Sequence, residues 1–185
     1  MASVVSHSSI RYLTGDATAP EGPRAVIAHV CNDAGGWGAG FVKAISARWA
    51  EPEAAYRRWH RAGTGFELGA TQLVVVPPTR SVQRPLEYNE HADAERVDDE
   101  RDHDEGLWVA NMVAQHGYTR PGAPAIRYDA LAACLGQLAQ LAGELGASVH
   151  MPRLGCGLAG GHWGRVGPIV EEKLAGLDVV VYDLS

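Results

Sequence analysis

Pro152-Arg153-Leu154-Gly155-Cys156-Gly157-Leu158-Ala159-Gly160-Gly161 decides how this chain is read. Ser148-Val149-His150-Met151 precedes it, and Trp163 to Leu174 follows, with Val166, Ile169 and Val170 at helical spacing. The stretch is therefore a glycine-rich connection between a strand and a helix. Gly155, Gly157 and Gly160 match the G-x-G-x-x-G pattern of dinucleotide-binding turns, a weak signal by itself. That turn normally opens its domain and needs several strands after it. Here only one helix and one strand, 179–184, remain before Ser185. The loop is better read as one of a pair.

Its partner is Cys31-Asn32-Asp33-Ala34-Gly35-Gly36-Trp37-Gly38-Ala39-Gly40, which follows an apolar run at 25–30 and precedes Phe41, Ile45 and Trp49 at helical spacing. Glycines at 35, 36, 38 and 40 are more than one tight turn needs, and they let the backbone come close to a ligand. The N–H groups and positive dipole end of the following helix suit a phosphate. Two strand–loop–helix units of this kind would hold the two phosphates of a diphosphate from both sides.

Outward from the loops, strands are expected at 10–13, ending at Gly15-Asp16, and at 25–30, 72–76, 107–114, 148–151 and 179–184. Pro77-Pro78 stops the third. A short helix is expected at 52–61, with Pro52 in its first turn. A longer one opens at Asp129, carries Leu131, Leu135, Leu138, Ala142 and Leu145 on one face and ends at Gly146. Strands alternating with helices predict an α/β domain with a mostly parallel or mixed sheet covered on both faces. We find no internal repeat.

The chain has 185 residues, fitting a single domain over 1–185, and its 46% hydrophobic residues suffice for a full core. A net charge of −6 argues against a broad nucleic-acid groove, so any phosphate would be held locally by backbone N–H groups. Cys31, Cys134 and Cys156 are odd in number and far apart, which indicates neither a zinc ribbon nor a disulfide framework. No signal peptide or membrane span is read, so a cytoplasmic location is expected. Residues 86–106 carry ten acidic residues and almost nothing apolar, and are expected to be a solvated inserted loop. His91 and His103 within it could form at most a weak metal site, and no metal or cofactor is expected.

Asp16 follows the first strand. Its carboxylate could accept from an exocyclic amine such as that of adenine, or could simply cap a turn.

Gly15-Asp16, Ala28-His29-Val30-Cys31-Asn32 with Gly36-Trp37-Gly38-Ala39-Gly40, Met151-Pro152-Arg153-Leu154-Gly155-Cys156-Gly157-Leu158 and Val181-Tyr182-Asp183-Leu184 together resemble the macrodomain family. The branch resembled is that of the terminal ADP-ribose protein glycohydrolases, over nearly the whole chain except the acidic insertion. The resemblance implies a three-layer α/β/α sandwich around a six-stranded mixed sheet, and ADP-ribose as ligand. It implies that Asp16 contacts adenine, with Ala17, Tyr182 and Leu184 lining that side. It implies that Gly38, Ala39 and Gly40 hold phosphate, with Trp37 among the ADP-ribose-binding residues. Leu154, Gly155, Cys156, Gly157, Leu158 and Ala159 would wrap the diphosphate and distal ribose, Arg153 would also bind ADP-ribose, and Asn32 would face the distal ribose.

The branch uses a lysine after the fourth strand and an aspartate just past the GCGL string. This chain has Gln115 and Ala159 there, which supply neither an amine nucleophile nor a proton-transfer group. Asn32 and Gln115 are then the candidate catalytic residues, as groups that position water. Asp33, His116 and His162 are candidates for proton transfer, though each could instead shape a loop, a turn or a helix cap. The expected activity is release of ADP-ribose from esters of protein carboxylates. A non-catalytic ADP-ribose reader and an ADP-ribose-1″-phosphate phosphatase are the alternatives. Expected partners are ADP-ribose or ADP-ribosylated protein, no membrane, and nucleic acid only as an ADP-ribosylated substrate.

Overall fold

The computed structural model describes residues 10–78, 105–118 and 123–183. Most of the acidic insertion, with His91 and His103, lies outside these residues, as does Leu184. The described chain runs β1 (Arg11–Thr14), β2 (Arg24–Asn32), α1 (Val42–Ser46), α2 (Glu51–Ala62), β3 (Thr71–Val76), β4 (Gly106–Gln115), α3 (Tyr128–Leu145), β5 (Ser148–Pro152), α4 (Trp163–Lys173) and β6 (Val179–Asp183). The six strands form one mixed sheet in the order β1-β6-β5-β2-β4-β3. All neighbours are parallel except β3 with β4.

Alternation along β2 builds both layers of the core. Val26 and Ala28 face α3 and α4, packing with Leu131, Leu135, Leu138, Val166 and Val170. Ala25, Ile27 and Cys31 face the other way, onto Ile45, Trp49 and Tyr56 of the α1–α2 side. The result is a three-layer α/β/α sandwich. The apolar stripe read on the long helix is α3's buried face, and Gly146 ends it in the left-handed conformation at φ 60°.

The first helix is shorter than its spacing predicts. Only Val42–Ser46 is helical. Trp49, the third residue of that spacing, sits in the turn beyond, where its indole donates to the Pro77 carbonyl at 3.0 Å. Helix α2 then begins at once, at Glu51.

Two histidines are buried within the strands. His29 Nε2 lies 2.6 Å from Asn111 Oδ1, while Asn111 Nδ2 donates to the Pro52 carbonyl at 3.1 Å and to Gln72 Oε1 at 3.0 Å. Because the Asn111 nitrogen is committed as donor, its oxygen accepts, and the His29 proton sits on Nε2. His150 lies between Tyr182 Oη at 3.0 Å and Ser148 Oγ at 2.9 Å. Burial disfavours the charged ring and lowers both histidines from an ordinary 6.5 to about 4. For His29 the Asn111 hydrogen bond offsets only part of this, and for His150 the nearby Asp178 does the same.

These values fix a pH dependence. Each folded value lies below the unfolded one, so the unfolded chain takes up protons first as pH falls. The stability is complete above pH 6.5 and is lost between 6.5 and about 4. Unfolding free energies from urea titrations at pH 7 to pH 4.5 should fall with a slope approaching about 1.4 kcal/mol per pH unit for each histidine. In His29→Gln that slope should be visibly shallower, whatever the variant's absolute stability. An unchanged slope would mean that His29 is not held neutral by burial.

Candidate functional site

Because β1, β2, β4, β5 and β6 are mutually parallel along the sheet, their carboxyl ends share one edge. A cavity of about 580 Å³ opens there, within the range of small-molecule sites. It runs across the strand ends from Gly15 and Asp16, just past β1, and Tyr182 and Asp183 on β6, past Pro152 at the end of β5 with Arg153 after it and His29 and Val30 on β2, to Gln115 on β4. Four inter-strand spacings cover about 19 Å, so the cavity suits an elongated ligand.

Both glycine-rich loops form its walls. Ala39 and Gly40 come from the first, and Leu154 to Ala159 from the second. They meet where Leu158 leans over Gly40, its Cδ1 3.5 Å from where a Cβ would stand on that glycine. Gly40 has φ 80° and Gly155 φ 64°, conformations that side chains resist. In the second loop Gly161 N–H donates to Gly155 O at 2.8 Å, and Gly160 N–H to Gly157 O at 3.0 Å. No acceptor among the described residues takes the N–H of Ala39, Gly40, Gly155 or Gly157. Four donors on two facing walls, unspent among the described residues, could receive an anion.

The charged groups along the cavity are already paired. Asp16 Oδ1 accepts from Thr18 N–H at 2.8 Å and Thr18 Oγ1 at 2.6 Å, and Oδ2 accepts from Arg48 at 2.8 Å. Burial pushes this carboxyl up, but Thr18 and Arg48 outweigh it and hold it below its ordinary value. Oδ2 keeps a lone pair for a ligand amine. Arg153 binds Asp183 through both Nε and Nη2, and its guanidinium lies over the rings of Tyr12 and Trp163. The pairing raises Arg153 and lowers Asp183.

At the β4 end, Gln115 Nε2 donates to Gly117 O at 3.0 Å. The amide therefore presents its Oε1 as an acceptor. Beyond it, Asp33 accepts from Gly117 N–H at 2.7 Å and lies 2.7 Å from His116 Nδ1. Burial raises Asp33, yet these bonds hold it below its ordinary value.

Among the residues singled out from sequence, Asp16, Ala17, Ala39, Gly40, Gln115, Arg153 to Ala159 and Tyr182 line the cavity, whereas Asn32, Trp37 and Gly38 do not. Asn32 holds the first loop in shape: its Oδ1 accepts from the N–H groups of Ala34 and Gly36, each at 3.0 Å, and its Nδ2 donates to Gly36 O at 2.7 Å. That corrects the expectation that it faces a ribose as a water-positioning group. Trp37 is a core residue, its indole donating to Ser46 Oγ at 2.8 Å and packing on His29 and Tyr56. The five-residue α1 offers little dipole to a phosphate, so the donors come from the loop itself. His162 stands at the start of α4 but makes no side-chain cap. Among the lining residues that sequence reading did not name are His29 and Phe41. The available signal was one titratable side chain inside an apolar strand.

No family model matches the chain. The structure of a macrodomain protein from Streptomyces coelicolor is similar, with 44% identity, a TM-score of 0.71 and coverage of 95% of this chain and 99% of that one. The chain belongs to the macrodomain family. Among curated proteins, mouse chromodomain-helicase-DNA-binding protein 1-like is 29% identical over 95% of this chain, which spans only 17% of that protein's length. An ADP-ribose 1″-phosphate phosphatase from Aspergillus oryzae is 26% identical over 98% of this chain and 96% of its own length. A Thermosipho africanus DarTG structure in complex with ADP-ribose shares the fold at 18% identity and a TM-score of 0.61, over 88% of this chain and 38% of that one.

The second loop's packing can be tested through its glycines. A Cβ on Gly161 would stand 2.7 Å from the Gly155 carbonyl oxygen, a backbone atom with no room to give, whereas one on Gly157 would meet nothing within 4 Å. Gly161→Ala should cost about 1–3 kcal/mol in chemical denaturation. Gly157→Ala should stay within about 0.5 kcal/mol. Equal losses would mean that the loop is not packed as described.

Proposed function

We propose that the cavity binds ADP-ribose and that the protein hydrolyses ADP-ribosyl esters, releasing ADP-ribose from modified protein carboxylates. The observation that carries this reading is the pair of facing loops with four unspent N–H donors, Asp16 at one end of the cavity and Gln115 at the other. In this reading the loops hold the diphosphate, the Asp16 carboxylate accepts from the adenine amine, and the distal ribose lies at the Gln115 end. The named relatives support the same ligand class: one is an ADP-ribose 1″-phosphate phosphatase and another was solved with ADP-ribose.

An ester is an activated linkage whose carboxylate leaves without a proton. Holding a water near the anomeric carbon supplies most of what its hydrolysis needs. Gln115 Oε1 can accept from such a water, and it offers no amine for a covalent adduct. Borohydride added during turnover should therefore leave the protein mass unchanged.

The test uses three substrates. ADP-ribose at about a hundred times its dissociation constant should add roughly 2.7 kcal/mol, a rise of several degrees in Tm. Ester-linked ADP-ribose on protein should be released. Release of phosphate from ADP-ribose-1″-phosphate instead would favour the phosphatase, and binding with no turnover the reader. Gly157→Ala, with its fold intact, should weaken ADP-ribose binding at least tenfold, because the added methyl enters the cradle. Unaltered affinity there, or no thermal shift in the parent protein, would remove the diphosphate assignment.

A further inference from the structure

At the end of the cavity opposite Gln115, hydrogen bonds close a ring around one carboxylate. Arg48 stands just past α1, the helix that follows the first glycine loop; it does not line the cavity itself, but Asp16 does. Two atoms of the Arg48 guanidinium reach the Asp16 turn. Nη2 donates to Asp16 Oδ2 at 2.8 Å, and Nε donates to Thr18 Oγ1 at 2.6 Å. The Thr18 hydroxyl accepts from Arg48 and donates its own hydrogen to Asp16 Oδ1 at 2.6 Å, beside the Thr18 N–H at 2.8 Å. Thr18 is buried, so bulk water does not compete for that hydroxyl.

Each of these three bonds to the carboxylate comes from a donor, which favours the ionised, acceptor-only form. Oδ1 receives two donors and Oδ2 one. A single acceptor position remains, on Oδ2, and the planar fork of Arg48 fixes its direction. Stability does not account for the arrangement, because an ion pair whose side chains are 32% and 50% exposed contributes little. Nor does the turn need it. Asp16 closes the turn alone, its Oδ1 accepting from Thr18 N–H and its carbonyl from Ala19 N–H at 3.0 Å. What Arg48 adds is a fixed orientation for the one free acceptor at this end of the cavity.

We propose that Arg48 sets the base selectivity of the site: acting through Asp16, it makes the cavity take a diphosphate ribose whose base carries an amine and refuse the analogue with a carbonyl in that place. The inference rests on the ADP-ribose reading above, in which Asp16 meets the base, and Arg48 is a positioning residue. An amine donates into the remaining lone pair of Oδ2. A carbonyl oxygen sets lone pair against lone pair, and the carboxylate loses its partner on desolvation. A carboxylate held at one oxygen can turn away from that clash. One held at Oδ1 by Thr18 and at Oδ2 by Arg48 cannot.

The test is calorimetric titration with ADP-ribose and with inosine diphosphate ribose, which has a carbonyl where adenine has its amine. It is run at about 0.15 M ionic strength, where exposed charges more than about 8 Å apart are largely screened. The parent protein should prefer ADP-ribose at least about tenfold. Arg48→Met should lose about tenfold in ADP-ribose affinity and stay within about threefold for the inosine ligand, so that the preference collapses. Retained binding of the inosine ligand shows that the fold and the phosphate loops are intact, which a merely structural arginine would not allow. Arg48→Lys keeps the charge and the stem but lacks the fork, and should show the same ligand-selective loss to a smaller extent. Added to Asp16→Ala, Arg48→Met should cost no more than about twofold further, because its effect passes through that carboxylate. Equal losses for both ligands, an undiminished preference in Arg48→Met, or a full further loss in the Asp16→Ala background would each overturn the role of Arg48 and leave the ADP-ribose reading standing. A parent protein that binds ADP-ribose without preference would do the same. A parent that binds neither ligand would remove both.

Discussion

The constraint on which the rest depends is the position of β2 between two parallel neighbours, β4 and β5. Every side chain of β2 has a face to fill, and its apolar residues alternate into the two helical layers. Parallel pairing on both sides sends the ends of β2, β4 and β5 to one edge, where a doubly covered sheet leaves its crevice. The register shift between Cys31 and Asn32 sets Asn32 against Gln115. That shift brings Asp33 within reach of the Gln115 carbonyl and the Gly117 N–H, and starts the first glycine loop. A strand and its bulge thus locate both the cradle and the Asp33–His116 pair.

The electrostatics follow from the same economy. The chain is acidic, at −6, and the two arginines that bond to carboxylates of the cavity are committed there: Arg48 to Asp16, Arg153 to Asp183. Neither pair puts a net positive charge at the site. An anion there would be held by oriented N–H groups, whose donors are fixed by the backbone and need no long side chain to be ordered. Backbone donors also explain why the site consists so largely of glycine, alanine and leucine. The two arginines instead set the geometry of the ends: Arg48 steadies the Asp16 turn through Thr18 Oγ1 and Asp16 Oδ2, and Arg153 ties the end of β5 to the end of β6.

Much of this was legible in the sequence, for identifiable reasons. Strand positions followed from apolar runs bounded by Gly and Pro, and α3 from a long stripe ended by Gly146. Both signals are local, and tertiary packing reinforced them. The first helix was misjudged because Phe41, Ile45 and Trp49 have the right spacing but separate partners: Ile45 packs in the core, while Trp49 is drawn to the Pro77 carbonyl. Both loops were recognised by their glycines, yet Asn32 and Trp37 were placed at the ligand when one folds the loop and the other fills the core. Spacing shows which residues lie in a loop and not which way each side chain turns. The pairs Asp16–Arg48, Asp33–His116 and Arg153–Asp183 join positions 30 or more apart in sequence. No periodicity reports such contacts.

The end of the cavity near β4 shows how a site can change its chemistry without changing its frame. Resemblance to the glycohydrolase branch places a lysine where Gln115 stands and an aspartate where Ala159 stands. A lysine at Gln115 would offer an amine at this end of the cavity. The glutamine that replaces it has its Nε2 turned back to the Gly117 carbonyl, leaving an oxygen as the atom on offer. Ala159 is buried, and its carbonyl accepts from the Ala125 and Ile126 N–H groups at 2.9 and 3.1 Å, so this position braces the second loop. Neither position thus offers an amine or a carboxylate to the cavity. Asp33 and His116 stand one step along the same two strand ends, fixed through the same Gly117 turn that holds the Gln115 amide. The frame that carries a lysine in the resembled branch therefore carries, in this chain, an amide whose oxygen is the atom on offer.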